Sequence, residues 1–352
     1  MIKTITFIRF PFESRMGGEE LHTIKLAEYF RSNGFEVRLI SSCPVLIKEF
    51  KNLELEVYEF KPFRAPVTKL SMLAFILKYP WSLFRFKRKF NSDFFQNEAC
   101  TFLLNIGEKI IFSKYLSKVA SKVVFMEHAT IGNFMYKNPF LGKLQTLVKL
   151  KNIEVVSVSK IMKKDLLKVY NSSAIIIPNA VYTKPTNNYD RKNQLKKIGF
   201  LGRFTEDKGS EVILNLCHKF PHLEFLISSE KLDYNLKNIK WLGYLKDKKL
   251  EEFWSEIDLL ILPATKVDPF GLVVLEAIQR KVPVLISDLV GAKDYFKPEH
   301  EIFISSVNDF QSKLSEISKS PERLSIISKQ AFEKLKDFSA EKMHKKYLNL
   351  LK

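Results

Sequence analysis

The residues best placed to do chemistry fall in one run, Asp268-Pro-Phe-Gly-Leu-Val-Val-Leu-Glu276. It follows a strand-like apolar run, Asp258–Leu262, and a break at Pro263–Val267. Pro269 suits the first turn of a helix and no later position, so the spacing predicts Asp268 as an N-cap and helix from Phe270 onward. Leu272, Leu275, Ala277 and Ile278 then supply a buried face that Glu276 interrupts. A carboxylate on the apolar side of a helix needs a partner or a ligand. The first amides of the same helix are free and favour an anion beside them. A plain helix cap at Asp268 and a lysine partner for Glu276 would explain the same residues, so this run alone leaves binding and structure both open.

A second cluster reads Gly199-Phe-Leu-Gly202-Arg203-Phe-Thr-Glu-Asp-Lys208-Gly209. Arg203 and Lys208 lie between a predicted strand and a predicted helix, where a parallel sheet presents its binding edge. A guanidinium fork with an ammonium can clamp a diphosphate, the one bidentately and the other as a point charge. Two solvated loop cations are the simpler alternative.

The elements that must position these groups alternate as an α/β chain does. The start gives strand Ile5–Arg9, a loop holding Met16-Gly17-Gly18, helix Glu19–Asn33 closed by Gly34, and strand Glu36–Ser41. That β-loop-α-β order opens a doubly wound parallel sheet. Short apolar runs follow at Leu55–Phe60, Phe94–Gln96, Val123–Glu127, Ile153–Ser157 and Ile175–Pro178, with helical stretches at Ile106–Val119 and Lys160–Tyr170. The polar segment 183–197 reads as a linker. After it the alternation restarts, with strand Ile198–Leu201, helix Ser210–Lys219, strands Leu223–Ser228 and Ile239–Trp241, helix Lys248–Ser255, strand Leu259–Leu262, helix Phe270–Arg280, strands Val284–Ser287 and Ile302–Ser305, and two closing helices. The expected domains are 1–182 and 198–335, both Rossmann-like; the resemblance given below makes the first the acceptor-side domain and the second the nucleotide-sugar domain. The segment 336–352 is a closing helix able to return to the first domain. Such a pair places a ligand cleft between two sheets, at the carboxyl ends of their strands.

Taken together, four pieces resemble the large family of retaining glycosyltransferases with the GT-B fold and an E-x7-E motif (glycosyltransferase family 4, glycosyl transferases group 1). They are Gly17-Gly18, Pro178-Asn179-Ala180-Val181, Gly202-Arg203 with Lys208-Gly209, and Asp268–Ala277 with Pro283-Val284. The resemblance covers most of the second half and leaves 55–105 without a family pattern. It implies transfer of a sugar from a nucleotide-diphosphate sugar to a hydroxyl of a glycan or lipid-linked acceptor, in cell-envelope polysaccharide or lipopolysaccharide synthesis. Arg203 and Lys208 would hold the donor diphosphate, Glu276 would accept from the ribose hydroxyls, and Asp268 would stand near the donor sugar. Backbone amides at Phe270, Gly271 and Leu272 would contact sugar or phosphate. Gly17 and Gly18 would let the backbone approach the phosphates, and His128, at the end of the run from Val123, resembles the family's histidine near the donor sugar. Ser157, Ser159 and Asn179 resemble loop positions that line the cleft. The sequence departs from the pattern at three places: Asp268 stands for a glutamate, and Ala180 and Lys281 stand for glycines. At Lys281 a left-handed helix end would strain a residue with a side chain. An epimerase of sugar nucleotides on the same fold, or a non-catalytic binder of nucleotide-sugars or anionic membranes, would share these positions.

Composition bounds the partners. The net charge of +18 is concentrated in the first half, net +13 over 1–180 against +5 over 181–352. The stretch Lys61–Phe90 holds eight Lys and Arg, seven aromatics and no acid, which suits a surface of anionic lipid. A core helix with a solvated basic end is the alternative. Lys114, Lys118 and Lys122 add a second basic stripe, and no nucleic-acid-binding motif accompanies either, so nucleic acid is not expected. Cys43, Cys100 and Cys217 are scattered and odd in number, which fits neither a disulfide framework nor a zinc site. The start has no apolar signal core, and no run approaches the ~20 residues of a membrane span. The expectation is a cytoplasmic protein, peripheral on the inner face of the cell membrane, needing no metal or other cofactor beyond the donor co-substrate.

Overall fold

The computed structural model describes residues 3–11, 16–63, 69–128, 140–182, 193–230, 232, 234 and 236–351, with the backbone alone at 69 and 70. The chain divides into two compact units. Met1–Val158, Met162–Ile177 and His344–Lys352 make the first; Ser159–Ile161 and Pro178–Met343 make the second. Of the segment expected as a linker, 183–192 lie outside the described residues.

In the first unit seven strands form one parallel sheet: β1 (Thr4–Arg9), β2 (Glu36–Ser41), β3 (Glu56–Glu59), β4 (Glu98–Leu103), β5 (Val123–Glu127), β6 (Ile153–Ser157) and β7 (Ile175–Ile176). Their order is β3-β2-β1-β4-β5-β6-β7, reversing direction of growth between β1 and β4. The helices between them are α1 (Gly18–Ser32), α2 (Pro44–Asn52), α3 (Lys69–Lys89), α4 (Ile106–Val119), α5 (Leu141–Leu147) and α6 (Lys160–Tyr170). β1 is buried throughout, and Phe7 on it stacks on Phe102 of β4 at 5.0 Å.

The strand expected at Phe94–Gln96 is instead a 3-10 turn at Asp93–Phe95, and the sheet takes β4, which begins only at Glu98. Its polar letters concealed it. Glu98, 2% exposed, accepts from Arg38 Nη2 at 2.8 Å, from Thr6 at 2.9 Å and from Thr101 at 3.1 Å. Burial raises the Glu98 carboxyl above its ordinary range despite the facing Arg38. Three strands are thus tied through one carboxylate whose bonds offset its desolvation.

A second buried charge closes the far side of this sheet. Lys109 Nζ on α4 reaches Glu127 at 2.8 Å and the carbonyls of Leu104 and Met126 at 3.0 and 2.9 Å. Tyr170 donates to the same Glu127 oxygen at 2.6 Å. Glu127 is therefore a structural residue.

The second unit carries a six-stranded parallel sheet of β8 (Lys197–Leu201), β9 (Glu224–Ser228), β10 (Ile239–Trp241), β11 (Leu259–Leu262), β12 (Val284–Ser287) and β13 (Phe303–Ser305), ordered β10-β9-β8-β11-β12-β13. Its helices are α7 (Ser210–Lys219), α8 (Asp247–Glu256), α9 (Leu272–Gln279), α10 (Phe310–Lys319) and α11 (Glu322–Lys334), and α12 (Ala340–Asn349) ends the described chain. Three helices close the chain where two were expected. From His344 on, the residues group with the first unit, where Tyr347 packs on Phe102 at 6.1 Å and on His22 at 5.4 Å.

Two predictions arise from these buried groups. Lys109→Met leaves the Glu127 carboxylate buried without its cation and should cost about 3–5 kcal/mol in a denaturant titration; a loss below about 1 kcal/mol would show the pair to be dispensable. Burial lowers His128 and His344 to about 4, and His22 well below its ordinary value of 6.5. The fold therefore prefers neutral imidazoles, and the unfolded chain takes up protons first as pH falls. Stability should be full above about pH 6.5, fall as pH drops toward 4, and level off below that. His344→Phe should flatten the decline of the unfolding midpoint across that window, and an unchanged slope would exclude His344 from it.

Candidate functional site

The loop after β8 is built to approach its neighbour. A 3-10 turn, Glu206–Lys208, ends at Gly209, whose φ of +86° lies in the left-handed region. A Cβ there would sit 2.0 Å from the Pro263 carbonyl oxygen, so only glycine fits. Thr265, just past β11, donates from its amide to Asp207 O at 3.1 Å and from its hydroxyl to Glu206 O at 2.6 Å. These bonds hold the loops after β8 and β11 side by side at the carboxyl edge of the sheet.

The two loops meet in an ion pair. Lys208 Nζ lies 2.7 Å from Asp268 Oδ2, with the lysine partly open to solvent. Asp268 Oδ1 accepts from the Phe270 amide at 3.2 Å. This corrects the expected N-cap. Asp268 makes an Asx-type turn, while the cap position belongs to Gly271 at φ +77°, and the helix starts at Leu272. The reason is distant backbone. Asp268 N–H donates to Leu289 O, Gly291 N–H to Asp268 O and Ala292 N–H to Phe270 O, at 3.0, 2.9 and 2.8 Å. The chain from Asp268 to Phe270 is thereby held extended, and Ser159 Oγ fixes it further by donating to Pro269 O at 2.6 Å. At Gly271 a Cβ would come 2.7 Å from Val290 Cγ1, so the turn into α9 also demands glycine.

Phe270 contributes no side chain to the site. Its ring is buried, 5.7 Å from Tyr295 and 6.3 Å from Phe338, and its amide is taken by Asp268. At the start of α9 the Val274 amide donates to Gly271 O at 2.9 Å, and no side chain caps the amides of Leu272 and Val273. Arg203 is exposed, with Asp207 3.9 Å away as its loose ion-pair neighbour. Glu276 lies one helical turn and more along α9. Burial raises its carboxyl above the ordinary value, opposed by Arg280 and reinforced by Glu251. The Arg280 guanidinium is bound to Glu251, at 3.1 and 3.2 Å from Nε, and to the Glu276 carbonyl at 3.1 Å. No described residue donates a hydrogen bond to the Glu276 carboxylate, and no lysine pairs with it. The second unit thus carries Arg203 and Lys208 on the loop after β8, two uncapped amides at the start of α9 and, further along that helix, a carboxylate with no donor among the described residues.

The remaining expected residues, Gly17, Gly18 and His128, belong to the first unit. Gly17 is the extended N-cap of α1 and Gly18 its first residue. Arg9, at the end of β1, bonds Glu19 at 2.8 Å and Glu20 at 2.6 Å and so anchors this glycine pair. His128 follows β5, its ring 4.5 Å from that of His22 on α1. It is neutral at physiological pH, and its Nε2 is shielded from solvent with no partner among the described residues. Sequence reasoning missed Thr265 and the 289–292 turn, which hold the site together. Both act through main-chain atoms, and the only local sign was the Leu289-Val-Gly291 punctuation after β12.

With this geometry in view, the comparisons with known proteins are specific. Residues 184–334 match the model of the family Glycosyl transferases group 1. An uncharacterized 42.6 kDa protein in the cps region of Klebsiella pneumoniae is 29% identical over 126 residues, 33% of each chain, so the match spans a third of that relative. The phosphatidyl-myo-inositol mannosyltransferase of Mycobacterium leprae is 24% identical over 294 residues, 78% of this chain and 75% of that one. Among solved structures, Anabaena HepE in complex with UDP and glucose superposes with a TM-score of 0.76 at 14% identity, covering 99% of both chains. The chain has the two-domain, Rossmann-like GT-B fold of glycosyltransferases.

The C-terminal end of α9 supplies a prediction of its own. Lys281 has φ +55°, and the bonds Lys281 N–H to Ile278 O and Val282 N–H to Ala277 O form a Schellman motif around it. The strain expected from the sequence is present. Lys281→Gly should raise stability by about 0.5–1 kcal/mol, read as a higher urea midpoint at unchanged slope; a lower midpoint would show that the lysine's packing over Phe332, 5.5 Å away, outweighs the strain.

Proposed function

We propose that the protein transfers a sugar, with retention, from a nucleoside-diphosphate sugar to a hydroxyl of a glycan or lipid-linked acceptor, without a divalent metal. The observation that carries this reading is the Lys208–Asp268 pair beside the uncapped start of α9, with the open Glu276 carboxylate on the same helix. Lys208 keeps further N–H donors beyond the one given to Asp268, and Arg203 adds a fork from the same loop. With the α9 amides they would neutralise the diphosphate as it departs, charge stabilisation that needs no reorganisation at the moment of reaction. Glu276 would accept from two neighbouring ribose hydroxyls, which would supply the bonds it lacks. Asp268, already oriented by Lys208 and the Phe270 amide, would accept from a hydroxyl of the donor sugar. His128, neutral, would serve the sugar from the first unit, and Gly17 and Gly18 would admit the phosphates close to backbone. The complex of Anabaena HepE with UDP and glucose supports a nucleotide-sugar donor on this fold.

The acceptor side favours a lipid. The named activity of the mycobacterial relative joins a mannosyl group to a phosphatidyl lipid, and α3 here exposes Leu73, Ile76, Leu77, Trp81 and Phe84 beside Lys78, Lys87 and Arg88. A helix with that surface lies in a membrane interface. Among the described residues no helix is long and apolar enough to cross a membrane. The protein would then work peripherally, at the inner membrane face, in envelope glycan or lipopolysaccharide assembly.

Glu276→Ala and Lys208→Ala should each lower kcat/KM by about 10²–10³, with unfolding midpoints showing both variants folded. Near-normal turnover in both would end the assignment. Release of free nucleotide should require acceptor, which an epimerase or a donor-binding protein would not show.

A further inference from the structure

The first unit holds a cavity of about 1030 Å³ that the donor chemistry does not use. It opens between the ends of β2 and β3, α2 and α3, and Lys48, Lys51, Lys61, Arg85, Arg88 and Lys89 line it. Glu59 is the one carboxylate on the lining. Lys51 is tied to Glu59 at 3.2 Å, Lys89 donates to the Glu59 carbonyl at 3.0 Å, and Arg85 stacks over Phe60 at 5.4 Å. Lys48, Lys61 and Arg88 have no ion-pair partner among the described residues.

Six cations against one carboxylate repel one another unless an anion joins them. Lining by Pro44 and Ile47 adds the start of α2, whose first amides no side chain caps. The lining is also amphipathic in a directed way. Arg85, Arg88 and Lys89 come from the last turns of α3, and the preceding turns of the same helix expose Leu73, Leu77, Trp81 and Phe84. Trp81 and Phe84 stack at 5.5 Å, forming one apolar ledge next to the basic lining. A molecule that fills both has a phosphate-bearing head and a hydrocarbon tail.

We propose that this cavity is the site for the headgroup phosphate of a membrane-borne acceptor, with the exposed face of α3 seated among the acyl chains. Lys48, Lys61 and Arg88 bind the phosphate directly, and Lys51 and Lys89 supply field from their places around Glu59. This deepens the reading of the protein as a transferase to a lipid-linked acceptor and rests on it, since it names the acceptor's chemistry. It also assigns Lys61–Phe90 two distinct tasks: the cations at its ends select the headgroup, and the apolar row between them holds the helix in the interface.

The test uses the full chain with Arg203→Ala and Lys208→Ala, so that the donor clamp contributes no anion binding, and no readout depends on turnover. Inorganic pyrophosphate probes the cavity by calorimetry, and phosphatidylcholine vesicles with roughly 30% phosphatidylglycerol probe the surface by flotation. Adding Lys48→Ser, Lys61→Ser and Arg88→Ser should weaken both pyrophosphate and vesicle binding by at least about tenfold. A control losing equal charge elsewhere, Lys219→Ser, Lys249→Ser and Lys329→Ser, all exposed on the second unit, should change either by less than about twofold. Leu77→Ser with Trp81→Ser should abolish flotation and leave pyrophosphate binding intact. Equal losses in the cavity and control variants, or no pyrophosphate binding by the parent, would overturn the site. Undiminished flotation of the Leu77, Trp81 variant would overturn the lipid source and point to a soluble phosphorylated acceptor. Because donor turnover is not measured, these failures are separate from failure of the transferase reading.

Discussion

The ion pair between Lys208 and Asp268 is the constraint on which the second unit's binding edge depends. It joins the loop after β8 to the loop before α9. They approach closely enough that only glycine fits at 209, against Pro263, while the turn after β12 crowds Gly271 through Val290. A lysine held by a buried carboxylate is oriented without being neutralised for a ligand, because it has donors to spare. The same carboxylate is fixed twice over, by the ammonium and by the Phe270 amide. Preorganisation of this kind is what charge stabilisation in a transfer reaction requires. The Asp268 carboxyl group is positioned by an extended backbone, not by a helix start.

Glu276 contrasts with the fully buried acids. Glu98 and Glu127 are each satisfied by an ion pair and by hydroxyl donors, and their work is to hold a sheet together. Glu276 is half-buried and lacks their partners, and Arg280, the cation that lowers its carboxyl, is bonded to Glu251. A desolvated carboxylate without donors is destabilising by itself. Nothing among the described residues repays that cost at Glu276, which is the physical ground for the donor reading proposed above. The histidines of the first unit follow the opposite rule, being kept neutral by burial around His22, His128 and Tyr347.

The basic character of the first half divides along similar lines. Lys109 and Arg38 are buried and structural, whereas the cations at the mouth of α2 and α3 are exposed and crowded. Net charge alone could not distinguish these uses. The distinction is one of solvent: a buried cation must have its full set of acceptors, while an exposed cluster tolerates unpaired charge and so can keep it for a partner.

Local physics made much of this protein legible from sequence. Helices α4, α6 and α7 and strand β12 lie where periodicity and capping residues predict them, because those signals act within a few residues. Arg203 and Lys208 lie in the loop after β8 and Glu276 on α9, as the order of strand and helix signals predicts, because charge types at the ends of strands and starts of helices keep their spacing whatever the packing. The left-handed turn at Lys281 was visible for the same reason. What only the tertiary structure decided depended on partners far along the chain. β4 was hidden because its polar residues become satisfied only when Arg38 and Thr6 from neighbouring strands reach Glu98. The start of α9 moved because Leu289, Gly291 and Ala292 claim the backbone around Asp268, and an Asx turn and an N-cap look alike until those bonds are seen. The basic cavity, finally, gathers Lys48, Lys61 and Arg88 from three separate elements, a convergence that chain order cannot encode.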